Sequence, residues 1–154
     1  MKKTLLVLLL VLTTSINAQN PPVKFTKFKL SWFNVLGFTG GGDGQTLKLK
    51  FKNKSGKQIK YINVKYYAIN SVNDITADKF NRSKFVVNCT GPFNDGDTKS
   101  LQVDIALFHP NLLIAYPYEV DIDYMDGECI EAEITESNIS NFFPNIKYIK
   151  IGNI

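Results

Sequence analysis

The densest run of side chains capable of chemistry is DIDYMDGECIEAE, residues 121–133, with six carboxylates in thirteen positions. Oxygen at that density suits a calcium ion. However, Asp121, Asp123 and Asp126 miss the EF-hand spacing, which places the third acid two residues after the second. The sequence therefore predicts a solvated strand face followed by a turn, with weak loop-bound calcium as the alternative. A carboxylate pair for glycoside hydrolysis depends on separation in space, which spacing along the chain leaves open.

His109 is the only histidine and precedes Pro110, with no carboxylate or nucleophile placed beside it, so a loop or capping role is expected. A zinc site would want more nitrogen or sulfur ligands. Cys89 and Cys129 form no C-x-x-C pair and lie far from His109 in the chain, which gives redox or nucleophilic catalysis little support. TGGGDG, Thr39 to Gly44, could cradle a phosphate only if a helix followed. QTLKLKFKN follows instead, and it reads as a strand, so the glycines predict a hairpin turn. These residues predict no catalytic, cofactor-binding or metal site, and the chain is not expected to be an enzyme.

In QTLKLKFKN, Leu47, Leu49 and Phe51 alternate with Lys48, Lys50 and Lys52, and Lys54 follows. Period-2 alternation marks a half-buried strand with its lysines in water. Charge is also split along the chain. Residues 19–84 hold twelve lysines and one arginine against three aspartates, a net of +10, and residues 85–154 hold three lysines against eleven acids, a net of −8. Cross-strand pairing of the lysines with Glu119, Asp121 and Asp123 is one expectation. The other is a dipolar surface whose basic side, Lys48, Lys50, Lys52 and Lys54, meets an anionic polymer or an acidic envelope protein. Nucleic acid is not the expected partner, because no exposed aromatics of the stacking kind interleave with these lysines.

The elements that must position these groups are strands. VKFTKFKLSWFNVLGF predicts a first strand with Phe28, Leu30 and Trp32 on one face. IKYINVKYYAIN predicts another; its alternation is imperfect, and a bulge or burial of both faces would account for that. A loop over 71–83 follows, then a strand in KFVVNCTGPF, a turn at Asn94 to Asp97, and KSLQVDIALF with Leu101, Val103, Ile105 and Leu107 inward. A hairpin closing near Asp126-Gly127 and a last edge segment, NIKYIKI, complete the chain. Without a helical pattern of useful length, the fold class is all-β, an antiparallel immunoglobulin-like β-sandwich.

The opening MKKTLLVLLLVLTTSINA has two lysines, an apolar core and a small residue at Ala18, the pattern of a secretory signal peptide over 1–18. One domain is expected over 19–154, periplasmic or secreted, with no stable membrane span because no later apolar run reaches about 18 residues. In an oxidising compartment Cys89 and Cys129 are expected to form a disulfide, two buried free thiols being the alternative.

The strand ending in Asn53-Lys54-Ser55-Gly56-Lys57, then Ile59-Lys60-Tyr61-Ile62 with Tyr66 and Asn70, Gly91-Pro92, Asp95-Gly96-Asp97 and Tyr124-Met125-Asp126-Gly127, resembles FxLYD-like, immunoglobulin-like domains of exported bacterial proteins. The resemblance implies an accessory binding or structural module of the cell envelope, with no functional residue to carry over. The alternative is a small envelope carbohydrate-binding module or hydrolase with an unrecognised carboxylate pair. An open sheet edge would be a further docking site by strand addition.

Overall fold

The computed structural model describes residues 20–33, 44–77, 81–105 and 114–151. The predicted leader, the glycines before Gly44, Leu107 and His109 lie outside them, as do the side chains of Trp32 and Ile105. Among the described residues there are seven strands: β1 (Val23–Phe33), β2 (Gly44–Asn53), β3 (Ile59–Ile69), β4 (Lys84–Phe93), β5 (Thr98–Ile105), β6 (Ile114–Tyr124) and β7 (Cys129–Glu133). A one-turn helix, α1 (Ile139–Phe142), follows. The strands form two antiparallel sheets, β1-β2-β5 and β4-β3-β6-β7, the expected all-β sandwich.

In β2 the alternation runs as the sequence predicts, with Leu47, Leu49 and Phe51 fully buried. Strict alternation would send Phe25 and Phe28 of β1 to opposite faces. A bulge between Phe25 and Lys27 absorbs one residue, so Val23, Phe25 and Phe28 all face the core. The same device orders β3. A register shift between Ile59 and Tyr61 brings Ile59 inward with Ile62, Val64 and Tyr66, and Tyr67 and Ile69 are buried as well, so bulging and two-sided burial both occur.

Aromatic side chains join the layers. Phe51 of β2 meets Phe93 of β4 edge to face at 5.0 Å, and Phe25 stacks on Phe143 at 4.6 Å. Such pairs add a directional preference to the area that the rings bury. Asn53, fully buried at the end of β2, donates through Nδ2 to the carbonyls of Lys57 and Phe93. Its Oδ1 accepts from the Ser55 amide and hydroxyl. One side chain thus satisfies the turn backbone and fastens it to the other sheet. At Gly91 a Cβ would stand 2.5 Å from the Ile59 carbonyl oxygen, so β3 and β4 can approach there only over a glycine.

Two elements differ from expectation. NIKYIKI forms no strand: residues 145–151 run as irregular chain, with Ile146, Ile149 and Ile151 packed on the core. The Ile149 amide donates to the Tyr116 hydroxyl rather than to a sheet edge. The helix α1 had no periodic signal because it is a single turn, held by burial of Ile139 and Phe142 and by its contacts to β1.

Candidate functional site

The register of β1 on β2 places Lys24 opposite Lys52, Lys27 opposite Lys50, and Lys29 opposite Lys48. On the other flank of β2, Thr98, Ser100 and Gln102 of β5 complete the three rows. These nine positions hold six lysines and no carboxylate. Opposed residues have Cβ atoms about 5 Å apart, and successive same-face residues lie about 7 Å apart along a strand. None of the six makes an ion pair among the described residues. Directly opposed like charges oppose folding, so this face costs the isolated domain stability.

The expected pairing of this strand with Glu119, Asp121 and Asp123 does not occur. Those acids lie on β6, in the other sheet, while β2 is central between β1 and β5. Lys54, the fourth predicted residue, falls past the end of the sheet, where it lines a cleft with Lys57, Tyr124 and Glu128. Lys24, Lys27 and Lys29 were not singled out, because the bulge breaks the alternation that would have assigned them to one face.

The opposite outer face is acidic. Its rows read Tyr61–Asp123–Cys129, Asn63–Asp121–Glu131 and Lys65–Glu119–Glu133 across β3, β6 and β7: five carboxylates to one lysine. Part of the charge split along the chain thus becomes a split between these two outer faces, although β3, from the basic half, lies in the acidic sheet. Lys65 bonds both Glu119 and Asp121, the latter at 3.1 Å, and these bonds hold its ammonium above the usual lysine range. The two acids respond in opposite directions. Lys65 draws Glu119 down, whereas burial pushes Asp121 up, its side chain being 17% exposed and its Oδ1 lacking a hydrogen-bond partner.

Asp126 and Glu128, in the turn after β6, converge on the Lys57 ammonium, which lowers Asp126. No group of three or more metal-ligating side chains assembles among the described residues.

Cys89 and Cys129 do not pair. They lie on β4 and β7, opposite edges of the four-stranded sheet, so three interstrand steps of about 4.8 Å separate them by roughly 14 Å. A disulfide needs Cα atoms within about 7 Å. Cys89 is buried in the core, where loss of water pushes its thiol up to about 12, and Cys129 is exposed beside Asp123, which raises it.

A cleft of about 550 Å³ opens between β6, β7 and the chain after residue 147, walled by Tyr67, Tyr116, Tyr118 and Tyr148 with Glu119, Glu131 and Glu133. Sequence reading missed it because its walls come from four separate segments. Glu119, held low by Lys65, is unsuited to the proton-donating role of a glycosidase. Among the described residues no helix is long and apolar enough to cross a membrane. No family model, curated protein or solved structure matches the chain.

Proposed function

We propose that this chain is an exported, non-catalytic binding module that holds an anionic polymer against the outer face of β1-β2-β5. The observation that carries this reading is the set of three opposed lysine rows without a carboxylate. Such a lattice costs folding energy in the free protein and becomes favourable when a chain of negative charges lies along it. An immunoglobulin-like layout is supported by the three-on-four strand order, in which the strand after β3 joins the second sheet. The resemblance to envelope accessory domains agrees with a module that binds rather than transforms.

The test is a titration of the purified chain with inorganic polyphosphate and with neutral dextran across a salt series. The expected result is binding of polyphosphate alone, with log K falling linearly as log salt rises, and weakened at least about tenfold in Lys27→Glu/Lys50→Glu. Affinity indifferent to both salt and the substitutions would sink the reading.

A further inference from the structure

We propose that the cleft on the opposite face is a binding site for a cationic amine carried on an apolar stem, such as a free polyamine or a peptide lysine. Its volume, about 550 Å³, lies in the range of small-ligand sites. Tyr67 and Tyr118 stack at 4.4 Å, inclined by 29°, to form an aromatic wall. The Lys84 ammonium already sits 5.8 Å from the Tyr118 ring centroid, so this wall holds a cation within the protein itself. Tyr116 and Tyr118 are neutral phenols at physiological pH, as tyrosines ordinarily are, and burial raises them further.

The rim supplies the counter-charge. Glu131 and Glu133 are two apart on β7, so they point to the same side, and both line the cleft. Neither has an ion-pair partner among the described residues, Lys65 being engaged by Glu119 and Asp121. An ammonium between the tyrosine wall and these carboxylates would gain cation–π and charge-assisted contacts together. Ile134, Ile149 and Ile151 line the rest of the cleft and suit a methylene stem. Anions would meet uncompensated carboxylates there, and a neutral sugar would leave them unpaired.

The experiment is calorimetric titration of the chain with spermidine, with a blocked tripeptide carrying a central lysine, with the same peptide carrying norleucine, and with maltotriose. Binding by either amine and by neither neutral probe is expected; which amine binds more tightly identifies the source. Glu131→Gln/Glu133→Gln and, separately, Tyr148→Ala should each weaken it at least about tenfold. Lys27→Glu/Lys50→Glu, on the far face, should leave it unchanged, so this site and the polymer site stand or fall separately. No amine binding, equal binding of norleucine peptide or maltotriose, or amine affinity unmoved by the glutamine pair would overturn the proposal.

Discussion

Lys27 of β1 and Lys50 of β2 face each other directly, with Lys24–Lys52 and Lys29–Lys48 in the rows on either side. The bulge after Phe25 causes this, because it returns the phenylalanines to the core and, with the same step, aligns the lysines on the other face. Burial of Phe25 and Phe28 is worth several kcal/mol, so it outweighs the few tenths that each opposed pair costs.

Relief of that repulsion should stabilise the domain. Lys50→Thr is expected to raise unfolding free energy by about 0.5 kcal/mol at low ionic strength, since threonine suits the strand and removes one opposed charge. In about 1 M salt most of the gain should vanish, because the Debye length there is about 3 Å. Urea denaturation at both salt concentrations measures the difference.

Lys65→Met should invert part of the acid response. In the native protein the lowered Glu119 contributes stability that is complete above its unfolded pKa and lost as pH falls through the folded value. Without Lys65, burial raises both Glu119 and Asp121, the folded state binds protons more readily, and stability rises as pH falls. The variant is expected to lose about 1–2 kcal/mol at pH 7, discounted for the exposure of the pair, and to recover much of it near pH 4. Denaturation curves at the two pH values report it.

The two thiols should react separately. Native protein is expected to titrate one thiol per chain, Cys129, at a rate that increases as pH rises toward its raised pKa. Cys89 should label only on unfolding. A maleimide mass shift, counted before and after denaturant, reads both numbers.

Asn53→Ala and Gly91→Ala should both destabilise, for different reasons. The first removes the Asn53 donor from the Lys57 and Phe93 carbonyls and the acceptor of the Ser55 amide, leaving the Lys57 carbonyl only its bond from the Ser55 hydroxyl, at about 2–3 kcal/mol. The second forces a methyl against the Ile59 and Lys60 carbonyls, at about 1–3 kcal/mol. Thermal or urea unfolding of the two variants measures each loss.

The alternation of Leu47, Leu49 and Phe51 with lysines, the turn at Asp126-Gly127 and the absence of long helical periodicity were enough to reach the fold class and the wet face of β2, since period-2 patterning and turn chemistry are local. The charge split between the halves of the chain was equally plain. Where each charge went was not. Only the tertiary structure decided that the lysines face other lysines rather than Glu119 and Asp121, because sheet partners are chosen by long-range register and by bulges that shift a whole face by one residue. It also decided that Cys89 and Cys129 lie at opposite edges of one sheet, and that tyrosines from β3, β6 and the C-terminal segment meet in one cleft. Neighbours across a sandwich are far apart in sequence, so their meeting follows from the packing of the whole core rather than from any local pattern.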